Sequence, residues 1–520
     1  MTPTEPVQPP AAHSALDALT DVSLNFRDGV TVQATSDTLT ITSPYGGFTV
    51  RGAAPRTTAA LQRLTGAPVP LAELLGDQPP GTDTALERLV VRFAHLLSRT
   101  LTDGERPLAR IEALTRTTSY TPSALRDDAT VRQSPFALLR TRAGELVMES
   151  PLTAHRVVLT DPAARALVTE LSRPVAPREL TGHGLSAEAV HTLLAHLAGA
   201  GFVDVGHWDG REARFAADED DVLRQWDFHD LLFHSRSRLG RHDEPFGGIF
   251  PYVGQIPPQP AVKPVPAGPA IELPRPSWDD VVAADPTFSV ALEGRRSVRQ
   301  YGAAPMTLTQ LGEFLYRTAR VRSAQDPLPE QGMPYEATSR PYPCGGSSYE
   351  LELYLTVRRC EGLAEGVYYY DPAGHRLVLI NDDAEDRQAL LYMASLAAAR
   401  VTVPDVLITM CSRFQRLSWK YRGIAYAVSL KHAGALYQTM YLVATAMGLA
   451  PCGLGSGDAD LSGRVLGLDY LRESAVGEFM LGSLPEDAAA PRESDATRTP
   501  VNDHAWAAAA WAGLRGPQPS

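Results

Sequence analysis

The sequence predicts an α+β protein: a large C-terminal α+β domain with a mixed central sheet, preceded by two similar winged-helix-like modules. Three observations lead there. The chain of 520 residues is longer than a single core usually grows. A segment near its start is echoed further along. A Pro-rich run then separates both copies from a region where strand and helix periods alternate.

The echo pairs TLTITSPYGGFTVRGAAPRTTAALQRLTGAPVPLAELL, from Thr38, with ELVMESPLTAHRVVLTDPAARALVTELSRPVAPREL, from Glu145. Each reads as a strand ending in Ser-Pro, a second strand, a short helix and a helical pair. In the second copy Ala164, Leu167, Val168 and Leu171 fall on one helix face. Ser186 is placed to cap a helix carrying Val190, Leu193, Leu194 and Leu197, and Gly201 to end it before the strand FVDV. Such modules bind DNA in some settings, but the candidate recognition helices offer only Arg56 and Arg63, and Arg165. An exposed wing edge to which a peptide adds a strand is the functional expectation, with plain scaffolding or dimer packing as the alternative.

Next, WDFHDLLFHSRSRLGRHDEPFGG, Trp226 to Gly248, crowds aromatics, histidines and arginines into a helical stretch, suiting either a substrate channel wall or ordinary helix docking. The run GQIPPQPAVKPVPAGPAIELPRP, Gly254 to Pro276, reads as an extended linker. The expected organisation is a tail at 1–30, modules at 31–125 and 126–215, an arm and linker at 216–280, the α+β domain at 281–490 and a tail at 491–520.

Composition narrows the function. A net charge of −12 argues against an extended nucleic-acid or membrane footprint. Four cysteines, none in CxxC spacing, support neither a disulfide framework nor a structural zinc site. No run of 18 apolar residues and no basic, apolar start occur, so cytoplasmic residence is the default expectation, with no metal assigned.

Several segments of the C-terminal domain are suited to chemistry. RRSVRQY, from Arg295, sets three arginines and a serine where they can surround a phosphate, although a surface salt-bridge network reads the same way. In RPYPCGGSSYELELYLTV, Pro343 and Gly345–Gly346 allow a tight backbone approach beside Ser347 and Ser348. GVYYYDPAGHRLVLI reads as a hairpin and VPDVLITM as a central strand. The stretch from Tyr421 to Leu449 is helical and apolar around much of its circumference. PCGLGSGDADL then offers Gly453, Gly455 and Gly457 as a ligand-facing loop without the Rossmann order. Lys420 and Tyr421 precede the long helix. A nearby ammonium assists a tyrosine base, or the lysine itself is the base, although Lys-Tyr is also a common dipeptide.

Taken in order and spacing, RRSVRQY, RPYPCGG, GVYYYDP, CSRFQRLSWKYRGIAY and MGLAPCGLGSGDADL resemble the SagB-type dehydrogenases, a branch of the nitroreductase-like FMN enzymes acting in azole-containing ribosomal peptide assembly. The resemblance spans roughly 287–485 and extends upstream through SPFALLRTRAGELVMESP and the helical arm. It implies a homodimer with FMN at the subunit interface. Arg295, Ser297 and Arg299 would hold the phosphate and ribityl chain, with Arg296 a backbone neighbour. Pro343, Gly345 and Ser347 would lie near the cofactor, Cys452, Gly453 and Gly455 along the isoalloxazine, and Lys420 and Tyr421 would be catalytic.

The helix after that pair departs from the family: Lys431 and Ala433 stand where relatives carry an acidic residue and a histidine, and Gln438 is followed by Thr439. The implied reaction is oxidation of thiazolines or oxazolines in a precursor peptide to azoles, with oxygen regenerating the flavin and a cyclodehydratase as possible partner. The alternatives are an NAD(P)H-dependent FMN nitro or quinone reductase and a non-catalytic peptide-binding scaffold.

Overall fold

The computed structural model describes residues 22–486, apart from 36–37, 44–45, 76–83, 117, 119, 127 and 401, together with residues 505–514. Most of the expected terminal tails lies outside these residues. The chain forms two compact units, 1–244 and 245–520, so the stretch expected as arm and linker is shared between them.

In the first unit the echoed segments begin like elements at an offset of 107 residues, although their strands join different sheets. Strand Thr38–Ser43 corresponds to Glu145–Glu149, and helix Pro55–Arg63 to Pro162–Glu170. Asp161 caps the latter helix by accepting from Ala163 N, with Pro162 in its first turn. Ser186 caps Ala187–Gly199 by accepting from Ala189 N, and Gly201 follows with φ of +83°. The helix faces anticipated from periodicity are all buried.

The two expected winged-helix-like modules are joined through a shared sheet. Strand Arg106–Ala113 of the first copy pairs antiparallel with His155–Leu159 of the second. The two halves therefore share one seven-stranded sheet and one hydrophobic core. The apolar faces of both copies close on each other, so neither completes a core alone. On this sheet Arg156 is almost fully buried between Glu149 (2.9 Å) and Asp243 (2.6 Å), and Asp243 also pairs with Arg27.

The second unit carries another seven-stranded sheet. Its spatial order is Ala270–Glu272, Arg376–Asn381, Gly366–Asp371, Leu351–Val357, Val406–Arg413, Glu473–Ser483 and Leu449–Leu454. All six pairings are antiparallel, which corrects the expected mixed sheet. Each new strand enters beside a neighbour running the other way, whether through a hairpin or a crossover helix. The DPAGH hairpin forms because the Asp371 carboxylate accepts from Ala373 N and Gly374 N and then pairs with Arg376. Helices Leu308–Ala319 and Ala425–Ala446 contribute Phe314, Leu436 and Met440 to one core with the sheet, and Ala384–Ala397 contributes Leu390 and Ala394 to another.

The Pro-rich run is a docked strap. Its prolines donate no hydrogen bond, but its carbonyls accept from side chains of the sheet and the helix Phe414–Ser418. Trp419 Nε1 donates to Ile256 O (2.7 Å), Arg416 to Gln259 O (2.7 Å) and Arg413 to Pro260 O (2.9 Å). Lys263 reaches Tyr354 and Glu473, and Ala270–Glu272 then joins the sheet edge. No helix among the described residues is long and apolar enough to cross a membrane.

Candidate active site

Two neighbourhoods of the second unit flank the long helix Ala425–Ala446. The first centres on Lys420 and Tyr421. Tyr421–Arg422 pairs antiparallel with Gly247–Gly248, and Phe250 N donates to Lys420 O. The Lys420 ammonium donates to Tyr335 Oη and lies 4.7, 5.1 and 5.7 Å from the ring centres of Tyr335, Tyr421 and Phe250. Three aromatic faces thus surround one cation. Tyr335 passes its own proton to Gly346 O (2.7 Å), tying the lysine to the glycine loop.

That loop needs its glycine. Gly346 has φ of +60°, and a Cβ there would lie 1.9 Å from Lys420 Nζ and 3.0 Å from Tyr421 Oη. Ser347 and Tyr349 also adopt positive φ, of 52° and 40°, so the loop stores backbone strain. Its shape is held from the long helix by His432. Gly345 N donates to His432 Nε2 (2.7 Å), which leaves the ring proton on Nδ1, facing the Glu350 carboxylate at 2.9 Å. Cys344 sits in the same cluster, where burial and then the Glu350 charge push its thiol up to about 12. It is an inert packing thiol there rather than a nucleophile. Arg416 holds the loop from the other side, donating to Ser348 O at 2.8 and 3.0 Å. Burial and then Arg413 bring its guanidinium down to about 10.

Replacing Gly346 by Ala therefore displaces Lys420 without touching the opposite neighbourhood. The expected result is an activity lower by about 10²-fold in a folded variant, as follows from misplacing a side chain of the site by about 1 Å. Steady-state rates and circular dichroism on the same sample check it.

The second neighbourhood joins RRSVR to the last strands. Val298 N donates to Pro451 O (2.8 Å), fixing the segment against the sheet edge. Ser297 Oγ and Tyr441 Oη are 2.8 Å apart, and Gly453 N donates to Tyr441 Oη (2.7 Å). Arg295 stacks over Tyr441 at 5.2 Å, and Arg299 lies beside Cys452. Among the described residues neither Arg295 nor Arg299 forms an ion pair with a carboxylate. That donor set fits an anionic phosphate. Arg296 lines a different cavity, with Val298, Thr445 and Leu514.

His432 and Tyr441 are about 14 Å apart along the helix axis, at 1.5 Å per residue. Beside the N-terminal half of this helix opens a cavity of about 400 Å³ walled by Leu430, Gly434, Tyr437, Gly455 and Glu478. Glycines keep it open: a Cβ on Gly457 would strike Glu478 at 2.5 Å, and one on Gly477 would strike Tyr437 at 2.6 Å. Arg295 and Arg299 give one end an anion-binding donor set, and the glycine-lined cavity beside Tyr437 has room for a planar group. Of the residues expected from sequence, Arg295, Ser297, Arg299, Cys452 and Gly453 converge, as do Gly345, Lys420 and Tyr421. Pro343, Ser347 and Gly455 are more exposed, on the two glycine-rich loops. Tyr335, Glu350, His432, Tyr441, Phe250 and Glu478 were not legible as site residues, because their roles arise from long-range contacts. FGG before Ile249 was the one local hint of a strand approaching closely.

Parts of the chain are similar to known proteins. Residues 292–483 match the Nitroreductase family, and residues 131–243 match the cyanobactin oxidase ThcOx family. Over 189 residues the chain is 27% identical to a putative nitroreductase, MJ1384, of Methanocaldococcus jannaschii, covering 36% of this chain and 86% of that one. Over 116 residues it is 31% identical to the microcin B17-processing protein McbC of Escherichia coli, covering 21% of this chain and 42% of McbC. A putative nitroreductase from Exiguobacterium sibiricum, solved with FMN, matches 41% of this chain and 94% of its own at 13% identity and a TM-score of 0.28.

The C-terminal unit is thus a nitroreductase-like α+β FMN domain, homologous both to generic nitroreductases and to the azoline-dehydrogenase branch that includes McbC, with additional β/α elements before it. Over 292–483 the chain is similar to the nitroreductase family.

Proposed function

We propose that this oxidoreductase converts azoline rings in a peptide to azoles. The observation that carries the reading is the Lys420–Tyr421 pair, set against a strained glycine loop and caged by aromatic rings. Lys420 is committed to Tyr335, whereas Tyr421 Oη has no hydrogen-bond partner among the described residues, so Tyr421 is the proton acceptor and Lys420 its electrostatic support. The acidified Cα–H of an azoline gives its proton to Tyr421. The neighbouring ring carbon loses a hydride, and aromatisation provides the drive. Arg295, Ser297 and Arg299 would hold FMN, which when bound would supply the two-electron acceptor, with dioxygen as the terminal oxidant. The match of 131–243 to a cyanobactin oxidase family supports a peptide substrate, docked by the duplicated N-terminal unit alone or with a cyclodehydratase partner. A homodimer completing each flavin site belongs to the same proposal.

An NAD(P)H-dependent nitro or quinone reductase is the second reading, and the comparisons back it more broadly. The Nitroreductase match covers the catalytic sheet, and the alignment with MJ1384 takes in most of that protein. One experiment separates the two: an azoline-bearing peptide and NADPH are offered in turn to FMN-loaded protein under oxygen. A peptide two hydrogens lighter per ring supports azoline oxidation. Rapid bleaching of the flavin by NADPH with an unchanged peptide mass supports the reductase.

A further inference from the structure

We infer that Glu478 is a proton-dependent hydrogen-bonding partner for the imide edge of the bound flavin, a role beyond both readings above. It rests only on the FMN class, not on the choice of substrate.

Glu478 lies on strand Glu473–Ser483, between Thr409 and Leu454 of the flanking strands. It is 4% exposed, and its Oε2 is buried without a hydrogen-bond partner among the described residues. It stands on the wall of the glycine-lined cavity, and Gly457 can approach only because it lacks a side chain. A buried polar atom without a partner is costly, so an orphan pointing at a pocket calls for a ligand that completes it.

The environment limits what that ligand is. Burial and then Asp458 hold the Glu478 carboxyl at about 7, so the neutral acid is well populated near neutrality. The groups facing it are Asp458 before helix Ala459–Leu466, Tyr437 on the long helix and Cys411 on the neighbouring strand. Asp458 is occupied as a helix cap on Leu461 N, burial holds the Tyr437 phenol at about 12, and the Cys411 thiol is pushed well above its ordinary range. Glu478 is thus the group that changes charge near neutral pH. A cation would be an alternative partner, but the cavity walls are mostly aliphatic, aromatic and glycine. A neutral carboxylic acid offers one donor and one acceptor side by side. A cyclic imide, such as the N3–H and adjacent carbonyl of a flavin, offers the complement. The carboxylate loses the donor and repels the carbonyl.

The test titrates flavin binding to the full chain from pH 6 to 8 by fluorescence quenching, with FMN and with riboflavin, which lacks the titrating phosphate. Wild type is expected to bind both flavins about tenfold more weakly at pH 8 than at pH 6. Glu478→Gln keeps a donor beside an acceptor, so it is expected to bind with affinity independent of pH. N3-methylated riboflavin, which cannot donate, is expected to bind wild type and Glu478→Gln equally weakly. Equal pH dependence in wild type and Glu478→Gln, or full affinity for the methylated flavin, overturns the inference. Circular dichroism of Glu478→Gln shows that the variant is folded. Absence of flavin binding by wild type at every pH would instead count against the FMN class.

Discussion

Under the proposed chemistry, the Lys420→Ala/Tyr421→Phe variant turns over azoline peptide about 10²–10⁴-fold more slowly than wild type, the usual contribution of a positioned proton acceptor. Its flavin absorbance stays intact, because the pair touches none of the residues around Tyr441. The two single variants separate the roles. Tyr421→Phe removes the acceptor and lowers turnover at every pH. Lys420→Arg keeps the charge but not the single-point donor to Tyr335, and restores part of the rate lost in Lys420→Ala. If both single variants oxidise the peptide at wild-type rates, proton removal belongs elsewhere in the site.

In the first unit, Asp243→Ala lowers stability by about 3–5 kcal/mol, the cost of leaving a buried partner charge uncompensated. Asp243 pairs with both Arg156 and Arg27, whose side chains are only 3% and 11% exposed. Urea unfolding of the variant against wild type measures the loss. The same pair sets an acid limit. Burial raises the Asp243 carboxyl, but the hydrogen bond and charge of Arg156, with Arg27, outweigh it and leave the group at about 2. Because this folded value lies below the ordinary 3.8, the stabilisation is present above that value and is lost as pH falls toward 2. Asp243→Ala therefore flattens the acid limb of the stability curve.

Local pattern carried a good deal of this. The echo, the capping by Ser186, the DPAGH hairpin and the extent of the long helix all follow from spacing and turn chemistry within short windows. The RRSVR segment and PCGLG, the latter expected as a loop but lying largely in strand Leu449–Leu454, were each read as candidate binding elements. Their meeting at Tyr441 was not, because Tyr441 reads as one more apolar position on a helix that is apolar nearly all round. Pairing between sheets was equally hidden. Nothing in Arg106–Ala113 announces that its neighbour is His155–Leu159 rather than a strand of its own module. The Pro-rich strap misled for a physical reason: prolines signal an unpaired backbone, but a carbonyl needs no proline N–H to accept from an arginine.

That strap decides how independent the flavin domain is. Composition would start the domain at residue 281, yet a chain trimmed there strands three donors, on Arg413, Arg416 and Trp419, inside a protein interior. It also removes Phe250 from the ring of faces around Lys420. A chain starting at Pro245 retains all of these contacts. The second unit is thus longer than its family match, and what looks like a tether between two parts is the outer wall of one of them.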